Sequence, residues 1–170
     1  MKIRHEILAD KEIISNIHYA AFKNHPQHAP GAEPTEHLIV ERLRTANAMT
    51  LSLVAEKGND LLGHIAFSVA PIGYITGGWH LLGPVGVLPE HQGKGVGSAL
   101  ICEAIIILQA NTASGIVLVG DPAFYQRFGF RNHEGLNYPG VPNQYVLALP
   151  LTGNGNVPKG DIVAHEAFGG

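Results

Sequence analysis

Apolar and polar positions alternate along the chain in a way that predicts strands and amphipathic helices in turn. Residues 1–7 alternate as a strand does, and residues 10–22 carry apolar side chains at helical spacing, with Asp10 as the N-cap. Pro34 opens a second predicted helix, whose apolar stripe begins at Leu38. The N-terminal part is therefore predicted to be one strand followed by two helices.

The middle of the chain predicts a hairpin and a third, interrupted strand. Residues 51–56 and 61–69 are two alternating runs on either side of a short polar turn, which is typical of a hairpin. The next apolar run, residues 80–90, is interrupted by Gly83, Pro84 and Gly86. Because proline has no N–H to donate to a strand ladder, we expect an edge, a bulge or a local splay at this point.

The C-terminal half predicts one long helix, two strands and a short helix. Residues 98–111 are apolar nearly all round, so this helix, with Cys102 on it, is expected to be deeply buried. Residues 114–122 indicate a short buried strand that ends in a turn, and residues 123–130 a short helix. Residues 144–151 predict a closing strand.

This order of elements predicts an α+β fold with a mixed, mostly antiparallel central sheet flanked by helices. One domain is expected over residues 1–150. Residues 151–170 are expected to form a linker and a tail that adds an edge strand or docks. The 21 glycines and 11 prolines exclude a coiled coil or long helical bundle, and the 45% apolar content argues against disorder.

The net charge and the length of the apolar segments limit the partners that are expected for the chain. The net charge is −3 and no run of lysine and arginine occurs, so nucleic acid is not expected as a partner. The N-terminus does not resemble a secretory signal, and the longest apolar stretch, 99–110, is too short to span a bilayer. A single cysteine cannot form an internal disulfide. We therefore expect a cytoplasmic protein with no membrane partner.

The most informative stretch combines glycines with a helix start. Gly93, Gly95 and Gly97 occupy alternate positions just before the long helix, and Lys94 adds a positive charge. Free N–H groups at a helix start, with the positive end of the helix dipole, form an anion site. The pattern predicts a cradle for phosphate or pyrophosphate, the alternative being a glycine-rich turn that serves geometry alone.

Two common phosphate-binding loops do not match this stretch. The P-loop pattern needs glycine where Leu88 stands, and serine or threonine where Gly95 follows Lys94. The dinucleotide fingerprint, started at Gly93, needs glycine or alanine where Ser98 stands. A general nucleotide-binding fold is therefore disfavoured.

The segment Gln92-Gly93-Lys94-Gly95-Val96-Gly97 matches the signature Gln/Arg-x-x-Gly-x-Gly/Ala. On that motif the chain resembles the GNAT-superfamily N-acetyltransferases. The segment from Val119 to Phe130, with its Phe-Gly-Phe end, is similar to the family's second cofactor segment. The resemblance implies the GNAT-like acyl-CoA N-acyltransferase fold, acetyl-CoA as cosubstrate and no metal.

The resemblance also implies which residues bind the cofactor. The amides of the loop would hold the pyrophosphate, and the interrupted strand before it would run beside the pantetheine as an added strand does. The residues implied are Val85, Gly86, Val87, Gln92, Gly93, Lys94, Gly95, Val96, Gly97 and Ser98.

Tyr125 is the candidate catalytic residue, because the family often has a tyrosine at this position beside the CoA sulfur. It would act as general acid for the departing CoA thiolate. The alternative is that Tyr125 only packs with Phe124 and Phe128 in an aromatic cluster. Direct transfer needs no nucleophile, and Cys102 is not expected to be one.

The general base and a metal site are not indicated. Glu33, His64, His80 and Glu90 are candidates for the base only by position, and a structural role is expected for each. His25 and His28 are closely spaced, but no cysteine or carboxylate pattern completes a metal site.

The predicted activity is transfer of an acetyl group to a primary amine of a small molecule or peptide. The alternative is a non-catalytic sensor domain that binds CoA or acyl-CoA without turnover. The resemblance implies an acceptor site built from the early helices and the 23–34 loop. Because these segments carry both signs of charge, the sequence does not predict the charge of the acceptor. Because many members of the family pair through sheet edges, the resemblance makes a homodimer a candidate assembly.

Overall fold

The computed structural model describes residues 1–26 and 28–169. The strands are β1 (Lys2–His5), β2 (Met49–Lys57), β3 (Asp60–Val69), β4 (Trp79–Val87), β5 (Gly115–Val119), β6 (Arg131–Asn132), β7 (Leu136–Asn137), β8 (Val146–Pro150) and β9 (Gly160–Asp161). The helices are α1 (Lys11–Phe22), α2 (Glu36–Thr45), α3 (Val96–Ala110) and α4 (Pro122–Tyr125).

Seven strands form one sheet in the order β1-β2-β3-β4-β5-β8-β6. Among the described residues of this sheet, β4 and β5 are the one parallel pair, so the predicted mixed, mostly antiparallel sheet is confirmed. Helices cover both faces of the sheet. Because successive side chains of a strand point to opposite faces, neighbouring residues of β2 pack against different helices. Leu53 packs in the cluster under α3, whereas its neighbour Val54 packs against Ile14 and Val40 of α1 and α2.

The sheet divides between β4 and β5. Their ladder joins Trp79 to Gly115 and ends where Leu81 pairs with Val117. Beyond that point Pro84 has no N–H to offer, and β4 continues to Val87 paired on one side only, with β3. The two strands part like a fork, which is the local splay that the glycines and proline of this strand predicted.

The long helix α3 is less buried than predicted. It buries one face, with Leu100, Ala104 and Leu108 at helical spacing, and it begins at Val96, two residues before the predicted start. Cys102 is exposed, and so is Ile106, at 61%. The expectation of deep burial was wrong because a helix on the outer face of a sheet has one side on the core, whatever its composition.

The remaining differences lie at short elements. The second helix begins at Glu36 rather than at Pro34. The C-terminal segment contributes β9, which pairs in parallel with β7 in a separate two-stranded sheet, and Ile162 next to it is buried. The domain boundary at residue 150 stays a prediction. Among the described residues, no helix has the length and apolar content needed to cross a membrane.

Candidate functional site

Three adjoining cavities follow the free edge of β4 and form one trench. The first, about 310 Å³, lies at the glycine loop, and the second, about 440 Å³, lies beside Val85, Gly86 and Val87. The third, also about 440 Å³, lies where β4 and β5 part, and we call it the fork cavity. Phe124 lines all three. The fork cavity is lined by Phe22, His25, Glu36, Ile39, Leu81, Leu82, Gly83, Pro84, Val85, Val119, Gly120, Asp121, Phe124, Tyr125, Tyr138 and Phe168.

The glycine loop has the backbone geometry of an anion cradle. Gly93 and Gly95 have φ values of 74° and 86°, in the left-handed region that favours glycine. The first intrahelical bond of α3 runs from the N–H of Ala99 to the oxygen of Gly95, 3.0 Å away. The N–H groups of the three helical positions before Ala99 therefore have no acceptor within the helix, and they are free to bind an anion.

The loop is tied to the strand that precedes it. The Gln92 side chain donates from Nε2 to the Val87 oxygen at 2.9 Å. The structure thus brings nine of the ten predicted cofactor residues into the lining of one trench, the exception being Lys94, which is exposed on the loop. The trench fits an extended ligand with an anionic end at the loop.

Replacing Gly95 by alanine is expected to weaken binding of acetyl-CoA. No atom lies within 4 Å of the added Cβ, so the cost is conformational, about 1–2 kcal/mol for a left-handed alanine. If the loop escapes this strain by changing conformation, the cradle is lost, and the Kd measured by calorimetry rises about tenfold. Gly153→Ala is the control, because Gly153 also has open space but no positive φ. Equal Kd values for both variants would contradict the assignment.

Tyr125 lies at the side of the fork cavity. The Asp121 carboxylate accepts a bond from the Ala123 N–H at 2.9 Å, which starts α4 and sets the position of Tyr125. The tyrosine ring packs edge-on against Phe124 and Phe130, with centroid distances of 5.0 and 5.9 Å. Tyr125 therefore belongs to an aromatic cluster, with Phe130 rather than Phe128 as the second partner, and it also lines the cavity.

Burial changes the acidity of this side chain. It raises the pKa of the Tyr125 hydroxyl to about 12. The hydroxyl therefore keeps its proton through the physiological range, and it can act as a hydrogen-bond donor to an anion in the cavity.

The four residues considered for the base lie elsewhere. None of them is among the described residues that line the trench. Glu33 accepts from Lys23 at 2.7 Å and from Tyr19 at 2.6 Å, which ties it to α1. His80 contacts the Thr50 hydroxyl at 2.9 Å, and Glu90 is exposed in the turn after β4.

His64, the fourth, is part of a buried hydrogen-bonded chain that crosses the sheet. Its Nε2 contacts the Ser52 hydroxyl at 2.8 Å, and Ser52 in turn donates to Glu6. Because Ser52 gives its one proton to Glu6, it accepts from His64 Nε2, and His64 Nδ1 then accepts from His18 Nε2 at 2.7 Å. We call Glu6, Ser52, His64 and His18 the buried chain.

The charges of the buried chain follow from this arrangement. Arg44 binds Glu6 through two bonds of 3.0 and 3.1 Å. The pKa of Glu6 is lowered to about 2, against the opposing effect of burial, by the nearby His64 ring and by hydrogen bonds from Arg44 and Ser52. Burial lowers the pKa of both His64 and His18, so both are neutral at pH 7. His18 Nδ1 has no hydrogen-bond partner among the described residues and lies against Gly86.

Four functional candidates that line the fork cavity were not predicted from the sequence: Glu36, Asp121, Tyr138 and Phe168. Asp121 lies within the segment from Val119 to Phe130, and its position directly after a predicted strand could have indicated it. Glu36, Tyr138 and Phe168 come from three distant parts of the chain and carry no local signal. The predicted 23–34 loop contributes His25, while its residue 27 lies outside the described residues. No group of three potential metal ligands occurs among the described residues.

Comparison with known proteins places this geometry in context. Residues 49–132 match the family model described as "Acetyltransferase (GNAT) domain". The uncharacterized N-acetyltransferase YjhQ of Escherichia coli K12 is 31% identical over 125 residues, which cover 65% of this chain and 69% of the relative. The uncharacterized N-acetyltransferase YhbS of the same organism is 29% identical over 138 residues, which cover 78% of this chain and 83% of the relative.

Two solved structures superpose over nearly the whole chain. A GNAT family acetyltransferase from Brucella melitensis, in complex with acetyl-CoA, is 41% identical with a TM-score of 0.82, covering 98% of this chain and 97% of the other. Escherichia coli YhbS in complex with CoA is 28% identical with a TM-score of 0.88, covering 99% of this chain and 91% of the other.

Proposed function

The chain belongs to the GNAT acetyltransferase family and is an acetyl-CoA-dependent N-acetyltransferase; from that premise we propose that it transfers the acetyl group directly to a primary amine of a small molecule or peptide, with Tyr125 as general acid. The observation that supports this most is the continuous trench, which leads from the glycine loop along β4 to Tyr125 in the fork cavity. The solved relatives were crystallised with acetyl-CoA or CoA, which supports the same use of the trench here.

The division of labour follows from the positions of the residues. When bound, acetyl-CoA supplies the acetyl thioester. The backbone of Gln92–Gly97 would bind the pyrophosphate, and the free edge of Val85–Val87 would orient the rest of the cofactor. With the cofactor bound at both places, its thioester end would be directed towards the fork cavity.

The chemical step requires two proton movements. The acceptor nitrogen loses a proton and forms a bond to the thioester carbon, and the carbon–sulfur bond breaks with its electrons on sulfur. Tyr125 would donate a hydrogen bond, and then a proton, to that thiolate. Because its pKa is raised to about 12, complete transfer is favourable only when it is coupled to loss of the proton from the amine.

The experiment is turnover of purified protein with acetyl-CoA and a panel of amines, followed by release of CoA thiol and by mass of the product. We expect thiol release that depends on an amine and an added mass of one acetyl group on that amine. Acetyl-CoA binding by calorimetry without turnover on any amine would favour the sensor domain instead. Absence of binding would overturn both functions.

A further inference from the structure

The acceptor side of the fork cavity has a distinct chemical character. Its walls are mostly apolar and aromatic, with Phe22 from α1, Ile39 from α2, and Phe168 from the C-terminal segment. The fork cavity as a whole, about 440 Å³, has the size of a site for a small molecule, and it would hold both the acceptor and the thioester end of the cosubstrate beside Tyr125. A substrate of this cavity therefore needs an apolar body to replace water on those walls.

The carboxylates of the cavity lining face no lysine or arginine, and the basic side chain among the described residues of the lining is His25. These carboxylates are Glu36 and Asp121. Glu36 is held in place by the N–H of Thr35 at 3.2 Å and by His28 Nε2 at 3.1 Å. An ammonium group is matched by these carboxylates, whereas a substrate carboxylate would lose water and meet like charge.

The C-terminal segment supplies one wall of the cavity and is firmly attached. The Ile162 N–H donates to Asn137 and the Val163 N–H to Pro71, each at 2.8 Å. Ala167 is buried, and the turn that contains it packs against α2. The Phe168 ring reaches across to β4, where a Cβ on Gly83 would lie 3.8 Å from it. The cavity wall is therefore preformed rather than induced by the substrate.

From these observations we propose that the acceptor is a primary amine on an apolar, ring-sized body, with no acidic group beside the nitrogen. Its ammonium group binds near Glu36, and its apolar body contacts Phe168. This inference rests on the proposed function. The reaction is balanced as ammonium plus acetyl-CoA giving the amide, free CoA thiol and one proton. One of the two protons lost by the ammonium goes to the thiolate and the other goes to solvent.

Matched pairs of compounds test the proposal with the full chain. 2-Phenylethylamine and phenylalanine differ only in the carboxylate beside the nitrogen, and tyramine and tyrosine repeat the comparison. We expect kcat/KM for each amine to exceed that of its amino acid about 100-fold, which corresponds to the cost of burying an unmatched charged group. Putrescine, which has two ammonium groups and a short body, is expected to be a poor acceptor.

Two variants assign the selectivity to residues. Phe168→Ala is expected to raise KM for 2-phenylethylamine about tenfold while the Kd of acetyl-CoA is unchanged. Glu36→Gln is expected to reduce the preference for amine over amino acid about tenfold. Glu166→Gln, an exposed carboxylate on the same C-terminal segment, is the matched control and should change neither value.

Calorimetry on CoA-loaded protein separates this inference from the proposed function. If 2-phenylethylamine binds and phenylalanine does not, but no amide forms, the selectivity stands and the proposed function fails. If amide forms equally well on both members of a pair, or best on putrescine or on peptides, the selectivity is overturned and the proposed function stands. The inference is also overturned if the apolar amines neither bind nor are acetylated.

Discussion

Replacing Tyr125 by phenylalanine is expected to lower kcat for amine acetylation about 100-fold, at the lower end of what general acid catalysis supplies. Phenylalanine keeps the ring that packs against Phe124 and Phe130, so the wall of the cavity is unchanged. The KM for the amine and the Kd of acetyl-CoA should therefore change less than threefold. Steady-state kinetics with calorimetry measures all three quantities.

The pH profile of the wild-type enzyme tests the same assignment. Because burial raises the pKa of Tyr125 to about 12, its hydroxyl stays protonated at pH 10, where an ordinary tyrosine would be half ionised. We expect kcat to show no loss from tyrosine ionisation up to pH 10. Tyr74→Phe is the matched control, because Tyr74 is fully exposed in the turn between β3 and β4. Unchanged turnover of Tyr125→Phe across this range would refute the acid role.

The fold could be predicted from the sequence wherever alternation was long enough to fix an element. The hairpin of β2 and β3 and the interruption of β4 at Pro84 are strong local patterns, and the structure has both. The strands β6, β7 and β9 have two residues each, which is too short for any periodicity to show. The exposure of Ile106 was not predictable, because an all-apolar helix does not indicate its outward face.

The candidate site could be predicted in part, and the division has a physical cause. The predicted cofactor loop is continuous in sequence, so its glycines and the family resemblance could indicate it. The proposed acceptor wall includes Glu36, Tyr138 and Phe168, which only the tertiary fold brings together. Gly86 shows a further limit. The sequence assigned it to the cofactor, but a Cβ there would also lie 2.7 Å from His18 Nδ1, so packing against α1 requires glycine as well.

That contact connects the trench to the buried chain. Glu6 directly follows β1, Ser52 is on β2, His64 is on β3 and His18 is on α1. The buried chain therefore links three neighbouring strands to α1. All of its hydrogen bonds are donated in one direction, from His18 towards Glu6. Loss of Ser52 or His64, the inner members, removes two hydrogen bonds of the chain.

Replacing His64 by leucine is expected to lower the free energy of unfolding by about 2–5 kcal/mol at pH 7.5. The substitution leaves the buried His18 Nε2 without its acceptor, which costs about 1–3 kcal/mol, and removes the hydrogen bond that Ser52 accepts, which is worth about 0.5–1.5 kcal/mol. Chemical denaturation measures the loss. His5→Gln, an exposed histidine on β1, is the control and should stay within about 0.5 kcal/mol of wild type.

The pH dependence of wild-type stability has a defined sign. Burial lowers the folded-state pKa of His18 and His64, and that of the half-buried His80, whereas an unfolded histidine titrates near 6.5. Below pH 6.5 the unfolded chain therefore binds protons that the folded chain does not, and stability falls as the pH falls. Glu6, with its pKa lowered to about 2, adds its own loss only below about pH 4.5.

The window between pH 6.5 and 4.5 thus isolates the histidines. Each histidine that stays neutral in the folded state lowers the free energy of unfolding by up to about 1.4 kcal/mol per pH unit there, so we expect the wild-type protein to be less stable at pH 5.5 than at pH 7.5. Denaturation curves at both pH values measure this difference. In His64→Leu the difference should be smaller, because one of the three histidines is gone. A wild-type protein that is equally stable at both pH values would show that the buried chain accepts protons without loss of structure, contrary to its one-directional hydrogen bonding.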